Sequence, residues 1–126
     1  MRPREDAETR FRRMVRRIRL GCWIWMGGRD HRGYGRFRYD GRSQLAHRWA
    51  YERAWSEHGW KEGWALLTPE LELDHTCVNR WCVNPEHLEP VSHADNIFLR
   101  DQRRRQKRLE QEIYGSELRH QAAALL

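Results

Sequence analysis

The sequence predicts a small α+β single domain: an antiparallel β-hairpin and sheet braced by a cysteine and histidine cluster and flanked by basic helices. Three observations carry that expectation. The stretch "GYGRFRYDGRSQLAH" alternates around an Asp-Gly turn, the signature of a hairpin. Cysteines and histidines crowd into "HTCVNRWCVNPEH". Apolar residues recur at helical spacing near both ends, with arginines between them.

At 126 residues the chain has room for one modest domain rather than two independent cores. Seven tryptophans are far more than a disordered polar chain carries, so a folded centre is expected. No apolar run approaches the roughly 20 residues of a membrane span, and "MRPREDAETR" lacks the apolar segment of a secretory signal. A soluble, cytoplasmic protein with no membrane partner is the expectation. Charge is uneven: residues 1–20 carry eight Arg against three acids and residues 97–110 six Lys or Arg against two, while residues 21–96 are slightly acidic. Two basic arms around a near-neutral centre suit a polyanion such as nucleic acid, solvated helix faces being the alternative.

Taken in order, Phe11, Met14, Val15 and Ile18 predict a basic amphipathic helix over Ala7–Arg19, ended by Gly21. In the hairpin, Tyr34, Arg36 and Arg38 alternate with Phe37 and Tyr39 before the Asp40-Gly41 turn. A ribbon of that width fits a DNA major groove, which makes Tyr34, Arg36, Arg38, Arg42 and Arg48 the candidate DNA contacts. Leu45–Glu57 reads as a helix with core tryptophans and Gly59 near its end; "WKEGWALLTPE" is a loop. "LELDH" and "HLEPVS" are short strands, and a long helix runs from Ala94 with Asn96 in its first turn. Residues 114–126 extend that helix or pack on a partner.

Zinc takes four thiolate or imidazole ligands in a tetrahedron. Cys77, Cys82 and His87 supply three, and Cys22, the remaining cysteine, can supply the fourth; His75, two residues before Cys77, competes for the role. An odd number of cysteines and no export signal argue against a disulfide framework. Such a site would tie the loop to the start of the hairpin and stabilise a small domain. A closed site has no open position for chemistry, so a reactive group would lie beside it, and strand alternation sends Asp74 and His75 to opposite sides.

The segment "DHTCVNRWCVNPEHLEPVSHADN", with "GYGRFRYDGRSQLAHRWAYE" upstream, resembles the His-Cys box homing endonucleases and the phage-type HNH endonucleases of the His-Me finger superfamily. The resemblance covers about Gly21 to Asn96. It implies a nuclease domain over residues 21–113, with a DNA-binding hairpin at 33–47 and a zinc-braced ββα-metal core at 71–113, between a basic helix at 1–20 and a tail at 114–126. It further implies a Mg²⁺-dependent endonuclease that hydrolyses phosphodiester bonds of double-stranded DNA to 5′-phosphate and 3′-hydroxyl ends. His75 matches the general base, and an imidazole's ordinary pKa of about 6.5 suits proton abstraction from water. Asn96 matches the Mg²⁺ ligand, Asp74 a second ligand found in some HNH enzymes, and Arg38, with Arg36 behind it, a phosphate-holding arginine. Hard oxygen donors suit Mg²⁺ and sulfur donors Zn²⁺.

The pattern also departs from the family. With no cysteine after Cys82, the second zinc site of the His-Cys box enzymes cannot form, which leaves a homodimer through a similar C-terminal arm without support. A two-fold homodimer would cut both strands, a monomer would nick. Asn84 reads as bracing the loop, and His47 and His93 have no matching catalytic role. Two alternatives stand beside the homing or phage-type enzyme: a catalytically inactive, zinc-stabilised DNA-binding module, and a nonspecific toxin or defence nuclease.

Overall fold

The computed structural model describes residues 4–58 and 65–124, in an α+β arrangement of short antiparallel hairpins and three α-helices. The chain divides into two units, Met1–Val91 and Ser92–Leu126.

The first unit opens with α1, Ala7–Arg13, capped by Asp6, whose carboxylate accepts from Thr9 N–H at 2.8 Å. The helix expected to reach Arg19 ends here. Val15–Arg17 instead forms β1 and pairs antiparallel with β2, Trp23–Trp25, in the register Val15 with Trp25 and Arg17 with Trp23. Gly21, at φ +88°, lies in the turn between them rather than at a helix end. The N-terminal segment is also no separate arm. Phe11 is buried against Trp25, Phe37 and Trp49, with ring centroids 4.9, 5.2 and 4.7 Å away, so the boundary expected after residue 20 is replaced by shared core.

That aromatic cluster, with Ala46, Ala50 and Val83, is the main core. It explains two glycines of "MGGRDHRGYG": a Cβ on Gly27 or Gly35 would come within 2.8 or 2.5 Å of the Trp25 ring. Trp25 also donates its indole N–H to Gly28 O at 3.0 Å. The hairpin forms as the sequence predicts. Its strands are β3, Arg36–Tyr39, and β4, Arg42–Leu45, joined by Asp40 and Gly41 at φ 52° and 72°, the paired positive values of a tight hairpin turn.

Helix α2, Ala46–His58, follows without a loop and turns two faces inward: Trp49 and Ala50 enter the aromatic core, while His47 and Tyr51, one turn apart, face elsewhere. Gly59 lies outside the described residues. β5, Glu72–His75, pairs antiparallel with β6, Leu88–Val91, setting His75 opposite Leu88 and Asp74 opposite Glu89. Tyr51, Leu73 and Leu88 form a second, smaller core.

The second unit is α3, His93–Ala124. Ser92 caps it, its hydroxyl accepting from Asp95 N–H at 3.1 Å and its carbonyl from Asn96 N–H at 2.9 Å. The expected tail at 114–126 continues this helix through Ala124. No helix among the described residues is long and apolar enough to cross a membrane.

Candidate functional site

Strand β2 organises the site because it is bonded on both edges. One edge carries β1; on the other, Trp25 N–H donates to Trp81 O and Val83 N–H to Trp23 O, both at 2.8 Å, with an isolated bridge between Ile24 and Cys82. The backbone thereby carries Cys22, at the head of β2, to Cys82. Beyond Cys82, Pro85–His87 forms a short 3-10 turn. Asn84 caps it by accepting from Glu86 N–H at 3.0 Å, and its amide donates to Gly21 O at 2.7 Å. Asn84 thus braces the loop, as its place beside Pro85 predicts.

These constraints converge on four ligand atoms. One each from Cys22, Cys77, Cys82 and His87, they all lie within 4.8 Å of one another. His87 Nδ1 is 3.6 Å from the sulfurs of both Cys22 and Cys82. This Cys₃His set can hold a metal ion such as zinc, because three soft sulfurs and an imidazole match its preferred donors. Burial pushes the Cys77 thiol up, and the Cys82 thiol up to about 12. A bound cation would reverse that by stabilising the thiolates, so metal uptake releases protons. Two backbone details show how tightly the loop is drawn. Val78, exposed between the first two loop cysteines, sits at φ 63°, a rare conformation for a β-branched residue. A Cβ on Gly21 would come within 3.3 Å of His87 Nε2.

His75, which competes for the ligand role in the sequence, takes another position. Its Nε2 lies 3.0 Å from Cys82 O. A carbonyl can only accept, so Nε2 carries a proton and donates it to Cys82 O. Around it gather two rings with no catalytic expectation attached: His47, 4.7 Å between centroids, and Tyr34, stacked at 5.9 Å with an interplanar angle of 27°. Burial, with neighbouring His75 adding to it, pushes His47 down to about 3, so it is neutral near pH 7. Its Nδ1 is buried with no hydrogen-bond partner among the described residues. Asp74, beside His75 in the strand, is buried as well.

The remaining expected residues separate. Arg36 pairs with Leu45, between Tyr34 and His47 in the chain, and so stands at the hairpin end nearest His75. Arg38, the first choice for a phosphate contact, is exposed two residues towards the tip, about 7 Å farther along the strand. Arg42 is exposed at the tip itself. Arg48 is not a free surface cation: it donates to Leu71 O at 2.8 Å and Thr68 O at 3.0 Å and pairs with Glu52 at 3.1 Å, holding the approach to β5. Asn96 belongs to the second unit, in the first turn of α3. Trp81 was not singled out in the sequence, whereas His47, read there as without a catalytic role, packs against Tyr34 and His75.

Comparison with curated proteins finds the "Uncharacterized gene 5.3 protein" of Enterobacteria phage T3, 31% identical over 108 residues that cover 79% of this chain and 92% of that protein. The chain belongs to the family of that phage protein. No family model matches the chain, and neither does any solved structure.

Proposed function

We propose that the protein is a Mg²⁺-dependent DNA endonuclease of the His-Me finger type, with a structural zinc in the Cys22, Cys77, Cys82 and His87 cradle. One observation carries this reading: His75 Nε2 is bonded to the backbone carbonyl of Cys82, whose side chain is one of the four metal ligands. The metal loop therefore orients the imidazole, and this reading takes Nδ1 as the nitrogen that accepts a proton from water. A binding module has no use for a base held in that tautomer. The chain order of β5, β6 and α3, with His75 closing the first strand and Asn96 opening the helix, supports the same reading.

Asp74 is the first-unit residue this reading assigns to Mg²⁺, whose preference for hard oxygen donors fits a carboxylate. When bound, the ion supplies charge stabilisation at the scissile phosphate and the departing 3′ oxygen. The chain's own groups do the rest. His75 takes the proton of the attacking water, His47 and Tyr34 pack its ring in place, and Arg36, better placed than Arg38, steadies the phosphate. The products carry 5′-phosphate and 3′-hydroxyl ends. Double-stranded DNA is the substrate, within a phage-infected host cell.

The test is conversion of supercoiled plasmid carrying DNA that flanks the gene, with Mg²⁺ or with none added. The expected result is nicked or linear product only with Mg²⁺, with ends that ligase accepts. Intact plasmid under both conditions, from zinc-loaded protein that binds the DNA, would favour the binding module instead.

A further inference from the structure

A second set of residues leads away from His75 across the first unit, and of these Trp81, Arg29 and Arg80 belong to neither the hairpin nor the metal cluster. Trp81, next to the ligand Cys82, is 46% exposed. The Arg29 guanidinium lies over its indole, 4.1 Å from the ring centroid, and is fixed there by donating to Trp25 O at 2.9 Å. Arg80 lies over the Tyr34 ring at 5.4 Å and donates to Arg32 O at 2.9 Å. Tyr34 in turn stacks on His75. Arg29 and Arg80 are exposed, so two cations border two aromatic rings along a path that ends at the proposed base.

We propose that this path binds a single-stranded or locally opened nucleic-acid segment, with an unpaired base stacked on Trp81 and its flanking phosphates on Arg29 and Arg80. The chemistry selects that ligand. Phosphates alone would need only the arginines, and a paired base offers its edge in a groove rather than its face; an exposed indole among guanidiniums matches an unstacked base. The backbone anchors on Arg29 and Arg80 keep the arginines from collapsing into solvent and leave the surface built before the strand arrives. The path rests on the nuclease reading only for its end point at His75.

The experiment is fluorescence-anisotropy binding of a labelled mixed-sequence DNA strand, and of the same sequence as a blunt duplex, to zinc-loaded protein without added Mg²⁺. Trp81→Ala is expected to weaken single-strand binding about tenfold and duplex binding by less than about twofold. Arg29→Gln and Arg80→Gln should each lower the salt slope of single-strand binding by about 0.7. Trp81→Leu, which keeps apolar bulk but no aromatic face, guards against an effect on folding; zinc content and melting temperature are read for every variant. Normal single-strand binding by folded, zinc-loaded Trp81→Leu, equal losses on strand and duplex, or no single-strand binding by wild type would each overturn the proposal. The two readings fail separately: a Trp81 effect on strand binding without cleavage by wild type keeps this surface and removes the nuclease, whereas His75-dependent cleavage with unchanged binding by Trp81→Leu does the reverse.

Discussion

The two faces of the segment around Cys82 make different uses of similar side chains. On one, the Cys82 sulfur joins two thiols and the His87 imidazole within a 4.8 Å cluster, every donor turned to a single point. On the other, the Cys82 carbonyl holds His75, whose neighbours are rings rather than further ligands. Convergent soft donors suit a closed metal site, whereas the second imidazole is fixed to backbone through one nitrogen and packed against aromatic rings. The difference lies in what surrounds each histidine, since His75 and His87 are chemically the same group.

The comparison breaks most visibly if the metal is lost. Cys82→Ser, or removal of zinc by a chelator, is expected to abolish the cooperative melting of the first unit and the near-ultraviolet signal of its packed tryptophans, because metal affinity in such small sites is folding energy. A variant that melts like wild type with no zinc bound would show that the cluster is not structural. A subtler break targets the turn. Gly21→Ala must adopt φ +88° and bring a methyl to 3.3 Å from His87, so a loss of roughly 1–2 kcal/mol and weaker zinc retention are expected from denaturant titration. Unchanged stability would mean that the turn relaxes freely.

The imidazole side is sharpened by pH. His47 is held neutral in the fold, pushed from the ordinary 6.5 down to about 3, so the unfolded chain binds the extra proton between those values. Stability is therefore full above pH 6.5 and falls as pH drops below it, by up to about 1.4 kcal/mol per unit from this group. His47→Gln should reduce the stability lost between pH 6.5 and 5.5 by about 1 kcal/mol relative to wild type at equal zinc load, with His75, Arg48 and Asp30 as the neighbouring groups common to both. Parallel slopes would show that His47 is not buried neutral.

How legible each part was depends on whether its cause is local. The Asp40-Gly41 turn was readable because two positive φ values demand those residues, and the four ligands because every cysteine is used. The N-terminal segment misled: Val15 and Ile18 fit a helical spacing, yet pairing of Val15–Arg17 with Trp23–Trp25 outweighs that weak local preference. Gly21 reads equally well as a helix stop or a hairpin turn. Arg48 looked like a surface cation because its partners are backbone carbonyls some 20 residues away in the chain, which leave no mark on the sequence. His47 was read as without a catalytic role, but its packing against Tyr34 and His75 is a tertiary fact that the sequence does not mark.

Cleavage by His75→Ala, measured side by side with its zinc content and melting temperature, tests the central claim most directly. The account predicts a folded, zinc-loaded protein whose Mg²⁺-dependent cleavage is about a hundredfold or more below wild type, the usual contribution of a positioned general base. Cleavage at the wild-type rate by that zinc-loaded variant would contradict it, and so would loss of zinc together with activity, which would return His75 to the metal.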